Sequence, residues 1–174
     1  MANTYTLIQA QTLASSAASV TFSSIPATYT DLVLRVSART NFAAVIDYFI
    51  MRLNSDTASN YSETRLVAYA GTATLSDRYS NQTSIQDISQ NGDTSTSNTF
   101  SSTEIYIPSY AVAQNKPISA FSVVENNSAS ANQIVADAIL WRNTATVSSV
   151  SFAPSAGTNF LTGSSFYLYG IKNS

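Results

Sequence analysis

The residues of this chain that could carry out chemistry are almost all carboxylates. The 174-residue sequence contains no His and no Cys, so neither a Ser-His-Asp nor a Cys-His arrangement can form, and the commonest general base is absent. What remains is a pair of carboxylates of the kind that hydrolyses glycosidic bonds, drawn from ten Asp and Glu residues. No spacing singles out such a pair. The inventory therefore predicts a protein that is not an enzyme.

Glu104 and Asp137 are the carboxylates that fall inside predicted strands and could meet across a sheet. A solvated strand face explains Glu104, whereas Asp137 shares its strand face with apolar neighbours. We expect Asp137 to form an ion pair with an arginine such as Arg142 or Arg52 rather than to act in catalysis.

A metal site in this chain would have to use oxygen ligands, which suggests Ca²⁺. Asn54–Asp56 with Asn60, or Asn91–Asp93, could supply such oxygens. The same residue types are what turns require, and neither segment matches an EF-hand loop. We therefore expect no metal ion and no cofactor.

The charge of the chain argues against two classes of partner. The net charge is −2, and the eight Lys and Arg residues are scattered, so no basic field is available for a nucleic acid. No apolar run approaches the roughly 18 residues of a membrane-spanning helix, and residues 1–7 lack the pattern of a signal peptide. We expect neither nucleic-acid binding nor membrane insertion, and synthesis without Sec export.

Apolar and polar residues alternate along most of the chain, which is typical of half-buried strands. The segments with this pattern are 5–13, 18–22, 31–39, 49–53, 64–70, 100–107, 116–124, 133–141, 147–152 and 164–171. Turn formers separate them, and Gly71 is predicted to end the strand that begins at Thr64. The pattern predicts about nine or ten short strands and no helix.

Two segments depart from simple alternation. From Ser76 to Asn98 the only aliphatic residues are Ile85 and Ile88, which predicts a weak edge strand followed by a mobile loop. The segment 133–141 is apolar on both faces, so it lies either between layers or at a subunit contact. Its last residue, Trp141, is expected to lie in the core.

These strands predict one all-β domain over residues 1–174, an antiparallel two-sheet β-sandwich of jelly-roll type. The first and last strands are expected to lie side by side in one sheet. A Greek-key sandwich with another strand order is the alternative.

Several segments resemble a family of small virion structural proteins of tailed bacteriophages, especially phages of aquatic bacteria. They are Tyr5–Ile8, Thr21–Pro26, Tyr29–Leu32, Leu53–Asp56, Asn60–Ser62 and Gly163–Ile171. Together they span nearly the whole chain, and they are strand and turn patterns rather than site signatures. The resemblance implies a virion component, made in the host cytoplasm and assembled on the particle surface.

Two roles are compatible with this resemblance. The protein is expected to be a capsid decoration or cement protein that binds the major capsid protein lattice, because the chain has no fibre shaft. The alternative is the tip domain of a tail or head fibre that binds a host glycan or receptor. A glycan-degrading enzyme is a third, less favoured class.

Attachment is expected to use polar loops, from Ser76 to Asn98 and from Asn54 to Asn60. The candidate contact residues in or beside these loops are Asn54, Asp56, Asn60, Tyr79, Asn91 and Asp93. Long-lived β assemblies also need covered sheet edges. We therefore expect a symmetric homo-oligomer, with a trimer preferred.

Overall fold

The computed structural model describes residues 4–70, 74–128 and 131–172, so Gly71 lies outside the described residues. The strands are β1 (Tyr5–Thr12), β2 (Val20–Phe22), β3 (Asp31–Ser37), β4 (Ile46–Leu53), β5 (Tyr61–Tyr69), β6 (Thr74–Gln82), β7 (Ile85–Asn91), β8 (Ser102–Ile107), β9 (Lys116–Val124), β10 (Gln133–Trp141), β11 (Val150–Pro154) and β12 (Ser165–Ile171). Within the described ranges no residue is helical, and no helix there could cross a membrane.

The strands form two antiparallel sheets with a nested order of pairing. β1 pairs with β12, β2 with β11, β3 with β8 and β4 with β7. Successive pairs alternate between the sheets, which is the arrangement of one long antiparallel ribbon rolled into a jelly roll. The predicted jelly-roll-like sandwich is confirmed, including the adjacency of the first and last strands.

Two hairpins are inserted into this ribbon and widen one sheet. β5 and β6 form one hairpin, and β9 and β10 form the other. The large sheet has the order β1-β12-β3-β8-β9-β10-β5-β6, whereas the small sheet has the order β2-β11-β4-β7. The inserted strands therefore extend the large sheet beyond the eight strands of the jelly roll, with β7 packed against β9 and β10.

The hydrophobic core lies between the two sheets. Phe49 and Phe152 come from the small sheet and Phe166 from the large sheet, and all three are fully buried. The ring centroid of Phe152 lies 5.3 Å from that of Phe49 and 5.5 Å from that of Phe166. Aromatic contacts of this kind add to the free energy gained by burial.

Trp141 lies in the core, as predicted, with no exposed surface. Its ring stacks on Tyr61 with centroids 6.4 Å apart, and its Nε1 donates a hydrogen bond to Asp56. The indole N–H is therefore satisfied although the ring is buried.

The segment predicted as a weak edge strand and a mobile loop contains two strands, β6 and β7, each at the edge of its own sheet. The end of β7 buries Ser89, Gln90 and Asn91 rather than aliphatic residues. Hydrogen bonds make this burial possible: Gln90 Nε2 donates to the Tyr48 carbonyl at 2.8 Å. In the sequence only Ile85 and Ile88 mark this strand, because the buried residues at its end are polar.

The turn after β7 is held by a buried arginine. The guanidinium of Arg39 donates to the backbone carbonyls of Asp93 and Thr96 at 2.7 Å and of Ser95 at 2.8 Å. A further bond reaches the Thr99 carbonyl at 3.2 Å. The four carbonyls share one cationic group, so the segment predicted as a mobile loop is anchored to Arg39 in the structure.

Candidate functional site

The turn between β4 and β5 contains three of the predicted contact residues, and its polar groups bind one another. Asp56 accepts hydrogen bonds from Asn60 Nδ2 and Trp141 Nε1, both at 2.8 Å. The Asn54 side-chain carbonyl accepts from two backbone N–H groups just before β11. Burial raises the pKa of Asp56, but the hydrogen bonds from Asn60, Trp141, the Ala58 backbone and Asn143 together outweigh it and leave the pKa below its ordinary value.

The other three predicted contact residues lie apart from this turn. Tyr79 lies in β6 rather than in a loop, with its hydroxyl 3.4 Å from Arg65 Nη2. Asn91 ends β7 and is fully buried, so its placement in an exposed loop is wrong. Its Nδ2 donates to Thr99 Oγ1 at 3.0 Å. The Asp93 side chain is exposed in the turn after β7.

A cluster of charged groups lies on the inner face of β5 and β10. Asp137 stands directly opposite Arg65 in the register of these strands. The Arg65 guanidinium, however, pairs with Asp77 at 2.9 Å and with Asp87 at 3.3 Å. Both carboxyl oxygens of Asp137 and Oε1 of Glu63 are buried without a hydrogen-bond partner among the described residues.

The predicted ion pair of Asp137 with Arg142 or Arg52 is wrong. Arg142 lies on the outside, where its Nη2 donates to Asn81 Oδ1 at 2.8 Å. Arg52 donates to the Thr83 carbonyl at 3.3 Å. Both arginines therefore belong to other parts of the fold, and the cation nearest to Asp137 along the sheet is committed to other carboxylates.

The burial of this cluster sets its chemistry. Burial raises the pKa of Asp137 to about 8, and the neighbouring Glu63 charge acts in the same direction. Burial likewise raises the pKa of Glu63 to about 7, together with the charge of Asp87. Asp137 is 4% exposed and Glu63 3%. These carboxyls face the interior, so they affect folding rather than a ligand on the surface.

The outer face of the large sheet carries a block of apolar side chains. Leu66, Ala136 and Phe121 stand side by side across β5, β10 and β9, and the next row is Ala68, Ile134 and Val123. We call these six residues the apolar block. Leu66, Phe121 and Ile134 are 53%, 50% and 48% exposed. A depression of about 410 Å³ lies against Leu66 and Phe121, with Ala136 and Ala138 among its lining residues.

The row through Phe121 continues into a charged section on β8, β3 and β12. Glu104 stands opposite Phe121, Arg35 opposite Glu104, and Tyr167 opposite Arg35. Arg35 Nη2 lies 2.5 Å from Glu104 Oε2, and the two side chains are 55% and 44% exposed. We call Phe121, Glu104, Arg35 and Tyr167 the charged row. It places an exposed ion pair between two aromatic rings.

Sequence patterns point to part of this face only. The apolar character of both faces of β10 is visible in the sequence, and the exposure of Ile134 excludes burial of that strand between two layers. The other prediction for β10, a subunit contact, stays a prediction. The charged row was missed, because its four residues lie on four strands and only the register brings them into line.

Comparisons with known proteins identify no family. No family model matches the chain, and no curated protein matches it. Among solved structures, the crystal structure of the galectin LEC-6 of Caenorhabditis elegans matches with 12% sequence identity and a TM-score of 0.33. That match covers 98% of this chain and 96% of the galectin chain.

Proposed function

We propose that this protein is a non-enzymatic structural protein of a bacteriophage virion that decorates the capsid by binding the major capsid protein. The resemblance of its strand and turn segments to phage virion proteins supports the location. The apolar block supports attachment and is the observation that carries the proposal. Contiguous apolar patches on a protein surface mark places where a partner binds.

The geometry of the apolar block suits a protein partner. Its side chains project from three neighbouring strands of one sheet, so their relative positions are fixed before binding. Fully burying a Leu or Ile side chain contributes about 1.5–3 kcal/mol, so covering the half-exposed Leu66 and Ile134, with Phe121 left accessible at the margin, contributes roughly 1.5–3 kcal/mol. This is enough to bias one sheet face towards the capsid.

Self-association is part of the proposal, with a trimer preferred. The outer edge strand β1 leaves Tyr5 and Leu7 51% and 52% exposed, and it pairs with β12 on one side. A subunit contact would cover such an edge. Sedimentation equilibrium of the purified chain measures the assembly: a trimer mass supports this part, and a monomer at every concentration contradicts it.

The copy number in particles tests the proposed location. Quantitative mass spectrometry of purified virions, calibrated against the major capsid protein, is expected to find hundreds of copies of this chain. A few to a few dozen copies would move it to a vertex, neck or tail. Its absence from purified particles would reject a virion role.

A matched pair of leucine variants tests the attachment surface. Leu66→Gln is expected to weaken binding to capsids that lack the protein by at least tenfold, because it replaces a central side chain of the apolar block. Leu75→Gln is the control, since Leu75 is also partly exposed, at 44%. Leu75 pairs with the inward-facing Val67, so it lies on the inner face of the sheet, away from the apolar block. Equal binding of both variants would exclude the apolar block.

The alternative function is a fibre tip that binds a host glycan or receptor, and a strip of tyrosines favours it. Tyr167 and Tyr169 stack with ring centroids 6.5 Å apart, and Tyr5 meets Tyr169 edge-on at 6.4 Å. Tyrosine offers an apolar ring and a hydroxyl to a ligand. Competition of host adsorption by the purified chain tests this role, and unchanged adsorption would contradict it.

A further inference from the structure

We propose that the charged row on the outer face of the large sheet is a binding site for neutral saccharides. The row consists of Phe121, Glu104, Arg35 and Tyr167 on the consecutive strands β9, β8, β3 and β12. The proposal deepens the proposed virion-surface function, on which it rests for its setting, by naming a ligand class and its contact residues.

The first support is the shape of the surface around the ion pair. A depression of about 280 Å³ is lined by Arg35, Ser102, Glu104 and Phe121, with Val123. An adjoining depression of about 160 Å³ extends from Arg35 and Ser102 towards Tyr167. Together they reach the lower end of the range of about 300–1,000 Å³ that is typical of small-molecule sites.

The second support is the spacing of the aromatic rings. Neighbouring strands lie about 4.8 Å apart, so the strands of Phe121 and Tyr167 are separated by roughly 14 Å. An oligosaccharide lying across the strands could place one sugar on each ring, because the C–H face of a pyranose is apolar. Tyr167 is held in place by its stacking on Tyr169, so its ring is positioned before a ligand binds.

The third support is the polar chemistry between the rings. Arg35 provides several N–H donors and Glu104 provides acceptor oxygens, which together match the donor and acceptor capacity of adjacent sugar hydroxyls. Ser37, Ser102 and Ser165 add hydroxyl groups at the smaller depression. An exposed ion pair of this kind contributes little to stability, so the fold does not require it.

The charge balance selects the ligand class. Arg35 and Glu104 neutralise each other at 2.5 Å, so the row offers no net charge to a phosphate, a sulfate or an ammonium group. A purely apolar ligand would desolvate both charged groups without replacing their hydrogen bonds. A neutral ligand rich in hydroxyl groups needs no net charge on the protein and can replace the hydrogen bonds that Arg35 and Glu104 lose to water.

A glycan array carrying neutral, uronic-acid and sulfated oligosaccharides, probed with the purified chain, tests the proposal. Binding is expected to neutral oligosaccharides, and calorimetry with the strongest of them then gives the affinity. Arg35→Ala and Tyr167→Ala are each expected to weaken that affinity at least tenfold. Arg78→Ala is the matched control, because Arg78 is an exposed arginine on β6 at the far edge of the sheet.

Glu104→Gln gives a readout that a structural role would not produce. It leaves the charge of Arg35 unbalanced, so the variant is expected to gain binding to uronic-acid oligosaccharides on the same array. Circular dichroism before each assay shows that the variants are folded. A wild-type chain that binds no saccharide, prefers the anionic ones, or binds equally well after Arg35→Ala and Tyr167→Ala overturns the proposal.

The array uses the purified chain, so its outcome is independent of where the protein sits in the particle. A negative array together with hundreds of copies per virion would reject the saccharide site and leave the decoration role. A positive array together with absence from virions would support the saccharide site and reject the decoration role.

Discussion

At the scale of single residues, the two buried carboxyls Glu63 and Asp137 are the most unusual groups of this fold. Each has at least one buried oxygen without a hydrogen-bond partner among the described residues. Arg65 is the basic group close to both, and it is already paired with Asp77 and Asp87. Ionising either carboxyl therefore places a poorly compensated charge between the sheets.

This arrangement predicts that the protein is more stable in mild acid than in mild base. The folded-state pKa values, about 7 for Glu63 and about 8 for Asp137, lie above those of the unfolded chain. The folded state therefore binds more protons than the unfolded chain. The contribution of these two carboxyls to the free energy of unfolding is complete below about pH 4 and is lost as the pH rises through their folded-state pKa values. The raised pKa of Asp87, which burial causes, acts in the same direction.

Urea unfolding at pH 5 and pH 9 measures the effect. Asp137→Asn is expected to be about 1–3 kcal/mol more stable than the wild type at pH 9, since it removes a charge from a site that cannot satisfy it. Asp93→Asn, at an exposed position, is the control. It is expected to show the same difference in the free energy of unfolding between pH 5 and pH 9 as the wild type. Equal wild-type stability at both pH values would contradict this account.

A second prediction at this scale concerns the hydrogen bond from Trp141 to Asp56. Asp56→Ala leaves the buried indole N–H without its acceptor, which is expected to lower the free energy of unfolding by about 1–3 kcal/mol. The protein has a single Trp, so its fluorescence reports the site directly. A shifted emission maximum in the folded variant is expected, whereas Asp93→Ala should leave both quantities unchanged.

At the scale of elements, the turn after β7 shows how one side chain can order a polar segment. Arg39 replaces the missing apolar contacts with four hydrogen bonds to backbone carbonyls. The guanidinium is suited to this because it presents several donors in a fixed plane. A Lys ammonium is a more compact donor and cannot reach all four carbonyls in the same geometry.

Arg39→Lys is therefore expected to loosen the turn over residues 92–99 while the sandwich persists. Limited proteolysis should cut this turn several times faster than in the wild type, as mass spectrometry of the fragments would show. Arg78→Lys, on the exposed face of β6, should leave the cleavage rate unchanged. An unaltered rate in Arg39→Lys would mean that other contacts order the turn.

The elements also show what could be predicted from the sequence and what could not. The alternation of β3 is visible because its buried face carries Leu32, Leu34 and Val36, and Trp141 is visible because its strand is apolar. β7 is only partly visible, because Ile85 and Ile88 mark its first part whereas the three buried residues at its end are polar. The wrong partner for Asp137 and the missed charged row share one cause: both depend on strand register, which composition and spacing do not determine.

At the scale of the whole molecule, the two inserted hairpins give the fold its asymmetry. They widen the large sheet while the small sheet keeps four strands, which creates an outer face broad enough for both the apolar block and the charged row. These surfaces lie on different strands except at Phe121, where they meet. Attachment and ligand binding could thus be changed separately, through Leu66 in one case and Tyr167 in the other.

The nested pairing of strands also determines how the chain must find its fold. The outermost pair joins Tyr5 to Ile171, so forming it closes a loop of nearly the whole chain and costs more entropy if the intervening strands have not yet paired. Chains dominated by such distant pairings fold in milliseconds to seconds rather than in microseconds. Stopped-flow refolding followed by Trp141 fluorescence is therefore expected to be slow, and the half-folded chain exposes open strand edges for that time.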